Sequence, residues 1–137
     1  MPLVFSGPYD NKFGRSSLSV TVTGLLDPGF DPKDLKASES RYFQGRRKWL
    51  DAKEGQWLKE FNFENFKSSQ GHKIYSIGFQ YIFGGKEFSE RSFFYFCPES
   101  MVHMKLLLTK KDQDKYAEIL NIIKKGKCEK IANKNKK

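Results

Sequence analysis

The chain has 137 residues, 38% hydrophobic and 15% aromatic, with thirteen Phe and a net charge of +9. That length predicts one domain burying roughly two thirds of its unfolded surface, and the aromatic content suits a sheet-rich core. No run approaches the ~20 apolar residues of a membrane span, and no leader pattern opens the chain. The compartment therefore reads as periplasmic or secreted if the start replaces a leader, and cytoplasmic otherwise.

The charge is unevenly spread. Residues Lys124 to Lys137 hold seven Lys against the single acid Glu129, which leaves 18 basic and 15 acidic residues elsewhere. The expectation is a nearly balanced globular domain over 1–126 and a flexible basic tail over 127–137. Such a tail is either a solvated terminus or a weak electrostatic tether to a polyanion or an anionic membrane.

Met1–Arg15, with Gly7, Pro8, Asp10, Asn11 and Gly14, reads as a loop-rich lead-in. Leu18, Val20 and Val22 alternate with Ser19, Thr21 and Thr23, so Ser17–Leu25 is predicted as a strand with one wet face. Asp27-Pro28-Gly29 is a turn signal. Asp31-Pro32 then starts a short helix over 32–37, with Pro at the first helical position.

Arg41, Arg46, Arg47 and Lys48 follow, interleaved with Tyr42, Phe43 and Trp49. The segment reads as a half-buried strand whose arginines lie along its wet face with their stems packed down. The same residue types also fit phosphate contact and base stacking. Arg41, Tyr42, Arg46, Arg47, Lys48 and Trp49 are the candidate binding residues on either reading.

Ala52–Gly55 reads as a turn and Trp57–Phe66 as a strand, with Trp57, Phe61 and Phe63 on one parity. After a polar loop, Tyr75, Ile77, Phe79, Tyr81 and Phe83 occupy every second position, the period of a strand face. Gly84-Gly85 predicts a tight hairpin turn. In Lys86–Cys97, Phe88, Phe94 and Phe96 share a parity with Glu90 and Ser92, so the first half of the strand is expected to keep one wet face. Pro98 ends it. Met101–Leu108 forms the next strand. Lys110–Lys125 is a helix with Thr109 as N-cap, Asp112 in a capping-box position and Gly126 at C′. Tyr116, Ile119, Leu120 and Ile123 form its apolar stripe. The fold class is α+β: an antiparallel sheet of about six strands packed by the C-terminal helix.

Catalytic signals are sparse. HExxH, CxxC, Walker and GxGxxG patterns are absent, and no cofactor or metal is expected. His72 and His103 are the only histidines. Two histidines suit the acid and base of a metal-independent ribonuclease, although each is more often an ordinary surface or core residue. Cys97 and Cys128 admit a disulfide. The strand after Cys97 runs out for roughly 26 Å and the helix returns over roughly 24 Å, ending near where Cys97 sits. The alternative is two separate thiols in a reducing compartment.

The order of elements, the two tryptophans Trp49 and Trp57, the run Phe88–Cys97 closed by Pro98, and the helix with Tyr116 and Ile119–Ile123 together resemble the PsbP/DcrB-like fold over about Leu18–Lys125. The resemblance is one of topology and assigns no functional residue. It implies an antiparallel sheet flanked by helices and a non-enzymatic role, as in extrinsic subunits, envelope proteins and chaperone-like adaptors. The expected function is a protein-binding or adaptor module, for example a bacterial immunity or envelope-associated protein. The alternative is a small nucleic-acid binder or ribonuclease acting through Arg41–Lys48 and the tail. Carriage of a small ligand inside the aromatic core is a third class, and it requires a cavity.

Overall fold

The computed structural model describes residues 17–23, 33–98 and 100–126. Its centre is a three-strand meander: β3 (Lys73–Phe83), β4 (Lys86–Cys97) and β5 (Ser100–Thr109). Gly84 and Gly85 join β3 to β4 with φ of +60° and +76°. Glycine takes two consecutive left-handed residues without a Cβ clash, as a two-residue hairpin turn requires. Phe83 pairs with Lys86 across this turn, and the register runs unbroken to Ile74–Tyr95.

β1 (Ser17–Thr23) adds antiparallel to the outer edge of β5, and β2 (Gln56–Lys67) to the outer edge of β3. Among the described residues the sheet has five strands, in the order β1-β5-β4-β3-β2. The expected count was about six. The difference is the Arg41–Leu50 segment, which is helix rather than strand.

Helix α1 spans Leu35–Ala52, three times the length of the short helix expected over 32–37. Asp34, not Asp31, is its N-cap: the Asp34 Oδ1 accepts from the Ala37 N–H at 3.1 Å, satisfying a first-turn donor. The chain leaves α1 through Glu54, whose φ of +57° turns it back so that the Gly55 N–H reaches the Leu50 carbonyl. The inward positions are Leu35, Ser38, Tyr42, Phe43, Arg46, Trp49 and Leu50, a helical period. A serine and an arginine inside that stripe hid it from a purely apolar count.

The C-terminal helix arrives where expected but in two parts. Lys110–Lys115 is a 3-10 segment, and α2 is Tyr116–Lys124. The Thr109 hydroxyl meets Asp112 side chain to side chain, and the Thr109 side chain caps no first-turn N–H. Gly126 lies past α2 but outside the left-handed region, so the glycine C′ geometry expected there is not used.

The two helices lie on opposite faces. α1 covers Tyr75, Ile77, Phe79, Tyr81, Phe88 and Phe94. α2 covers Ile74, Phe93, Tyr95, Met104, Leu106 and Leu108 through Ile119 and Ile123. Burial on both faces explains why Phe93–Phe96 is apolar at both parities. Each fully buried side chain of this size contributes roughly 1.5–3 kcal/mol. On the α2 side, the Arg91 guanidinium lies between two rings, 3.9 Å from Phe61 and 4.1 Å from Tyr116. The backbone tie between Ser69 N–H and the Lys124 carbonyl at 2.8 Å anchors the end of α2, as does the bond from the Tyr95 hydroxyl to the Gly126 carbonyl.

Met1–Arg15, the Asp27-Pro28-Gly29 turn, the 127–137 tail and Cys128 lie outside the described residues, so the Cys97–Cys128 pairing does too. Cys97 itself is half-buried at the end of β4, against the α2 cluster. No helix among the described residues is long and apolar enough to cross a membrane.

Candidate functional site

The polar centre of the molecule is Glu90. It sits on the central strand β4 at the parity of Phe88 and Phe94, facing α1, and is 3% exposed. Ser92, two residues on, is equally buried. The wet face expected for the first half of this strand is therefore the seat of α1. A buried carboxylate needs a countercharge and donors, because desolvation is costly. Both come from α1, one turn apart. The Arg46 guanidinium meets Glu90 Oε1 at 2.7 Å, and the Tyr42 hydroxyl donates to Oε2 at 3.0 Å. The same guanidinium lies 4.3 Å from the Trp49 ring centroid, an attractive cation–π geometry.

This arrangement shifts the surrounding phenols. Burial holds the Tyr42 hydroxyl well above its ordinary pKa, and the adjacent Glu90 charge adds to the effect. Tyr81 is raised by the same two causes in the same order.

Beside this lock a pocket of about 220 Å³ opens between α1 and the sheet. Ser38, Arg41, Tyr42 and Arg46 form its helix wall. Ile77, Glu90, Ser92 and Phe94 form its floor on β3 and β4, with Phe63 contributed by β2. β5 supplies His103, whose ring stacks on Phe94 at 4.8 Å, and Lys105.

Of the six candidate residues from sequence, Arg41, Tyr42 and Arg46 line this pocket. Arg47 points to β2, pairing with Glu60 at 2.9 Å while its guanidinium covers Trp57 at 4.1 Å. Trp49 is half-buried beneath Arg46 and meets Tyr81 edge-on at 5.5 Å. Lys48 is exposed. The two histidines are not brought together: His72 packs near Tyr95 on the α2 face, and His103 stacks on Phe94 on the α1 face. Glu90, Ser92 and Lys105 are site residues that sequence reasoning missed. The available signal was a carboxylate at the core parity of a strand otherwise built of phenylalanine.

No family model and no curated protein matches the chain. Four chains of solved structures do, two of them as follows. One is the solution structure of cyanobacterial PsbP (CyanoP) from Synechocystis sp. PCC 6803, at 13% identity, covering 88% of this chain and 76% of that one with a TM-score of 0.54. The other is PA94 from Pseudomonas aeruginosa, a protein of unknown function, at 15% identity, covering 95% and 81% with a TM-score of 0.47. The likeness to CyanoP is one of fold: the chain has a PsbP-like fold, in agreement with the order of its elements.

Proposed function

We propose that the chain is a non-enzymatic binding module that holds an acidic partner protein against α1. The observation that carries this reading is the division of labour along the helix. Tyr42, Arg46 and Trp49 turn inward, and the first two are committed to Glu90. With its oxygens engaged by an arginine and a phenol, Glu90 serves the packing of α1 rather than proton transfer. Arg41 and Lys48, two turns apart on the same helix, stay exposed. Neither makes an ion pair among the described residues, so both are available to a partner's carboxylates.

The nucleic-acid alternative draws less support. Base stacking needs accessible rings, and Tyr42 and Trp49 lie within the helix–sheet contact. The separation of His72 from His103 weighs against the ribonuclease version.

The test is capture from lysate with the purified chain and an Arg41→Glu/Lys48→Glu variant, with and without nuclease, at low and at ~0.5 M salt, where the Debye length falls to a few ångströms. The reading expects a single nuclease-resistant protein that the variant loses. Capture abolished by nuclease would move the assignment to nucleic acid, and a partner retained by the variant would exclude this face.

A further inference from the structure

The pocket beside Glu90 has a composition that a docking surface does not require. Among the described residues, three cationic side chains line it, Arg41, Arg46 and Lys105, against one carboxylate. The Arg46–Glu90 pair cancels within itself at 2.7 Å. Arg41 and Lys105 are left, one from the helix wall and one from β5, two positive charges without a countercharge among the described residues. An excess of like charge beside a low-dielectric wall favours an anion, because Coulomb attraction strengthens as water is excluded.

The rest of the lining narrows the choice. Phe63, Ile77 and Phe94 present apolar surface, and the Phe94 ring is backed by His103. A strongly hydrated, fully polar anion such as phosphate gains nothing from those walls. A monoanion with a compact apolar body buries the body against the rings and aligns its charge with Arg41 and Lys105. About 220 Å³ suits a molecule of roughly benzoate size rather than a nucleotide.

We infer that this pocket is a binding site for a small organic carboxylate whose apolar body packs on Phe63, Ile77 and Phe94 and whose carboxylate meets Arg41 and Lys105. The site shares Arg41 with the face proposed for partner capture, but Lys105 takes no part in the exposed α1 face, so Lys105→Gln is expected to weaken the ligand and leave partner capture unchanged.

The experiment is an amide-resolved NMR titration of the full chain with benzoate, with neutral benzamide and with inorganic phosphate, at constant ionic strength. Benzoate is expected to shift amides around Ser92, Lys105 and Arg41 saturably, with benzamide and phosphate each at least roughly tenfold weaker. Loss of one charge-assisted contact sets that scale. Lys105→Gln is expected to weaken benzoate by a similar factor. Arg41→Gln, at an exposed helix position, is a second variant for which folding is not at issue. Benzamide binding as tightly as benzoate would overturn the inference, as would phosphate binding as tightly, benzoate shifts scattered over the surface, or wild-type affinity in both variants. Partner capture surviving such a result would leave the binding-module reading standing by itself.

Discussion

Arg46 on α1 and Glu90 on β4, 44 positions apart in sequence, form a 2.7 Å ion pair in which the glutamate side chain is 4% exposed and the arginine side chain 21%. A surface pair of this kind contributes little. A pair with one partner this deeply buried behaves differently: removing either member strands the other's charge and costs about 3–5 kcal/mol. The pair thus fixes how α1 sits on the sheet, and with it the pocket wall and the exposed Arg41–Lys48 stripe.

Tyr42 gives the lock a pH signature. Its phenol is raised in the fold by burial first and Glu90 second, so the folded state holds the proton that the unfolded chain releases near pH 10. Stability from this group is therefore fully present below pH 10 and falls above it, by about 1.4 kcal/mol per pH unit. Tyr81 and Tyr116, also raised chiefly by burial, act in the same direction. Urea midpoints between pH 8 and 11 are expected to be flat and then fall, and Tyr42→Phe is expected to make the fall shallower. The same variant should cost about 1.5–3 kcal/mol at pH 7, where it removes a hydrogen bond to a charged group.

Two glycines give opposite predictions. A Cβ at Gly78 would lie 2.1 Å from the Glu90 carbonyl oxygen and 2.9 Å from the Arg91 Cγ. Because the obstacle is strand backbone, Gly78→Ala is expected to cost about 3 kcal/mol through overpacking. Gly45, within α1, has open space around its Cβ position. Gly45→Ala is expected to stabilise by about 1 kcal/mol through helix propensity. Both follow from equilibrium denaturation.

Arg91 tests the second face. Its guanidinium between Phe61 and Tyr116 ties β2 to the start of α2. Lysine keeps the charge but loses the flat surface that stacks on two rings. Arg91→Lys is expected to cost about 1–2 kcal/mol and to speed hydrogen exchange in α2 more than in α1.

The meander was legible because strand alternation and a Gly-Gly turn are local signals, and each of Lys73–Phe83 and Lys86–Cys97 carries both. The apolar stripe of α2 was legible for the same reason. Helix α1 was not, because its core-facing side includes Ser38 and Arg46. Their burial depends on Glu90 and the rings of β3 and β4, contacts more than thirty residues away in sequence. The site was half-visible on that account. The basic-aromatic cluster pointed to the segment that walls the pocket, but which of its side chains were committed inward depended on a carboxylate in another strand.

The most direct measurement is a double-mutant cycle on Arg46→Met and Glu90→Leu by urea denaturation. Arg46 Nε is buried without a hydrogen-bond partner among the described residues, so the ion pair is an imperfect one. Each single variant is predicted to lose about 3 kcal/mol or more, and the double variant to recover most of that loss, because apolar replacement of a buried pair is often neutral. A coupling of at least about 2 kcal/mol is the expected result. A coupling below about 0.5 kcal/mol, with Arg46→Met nearly neutral, would contradict the account and return Arg46 to the exposed basic surface.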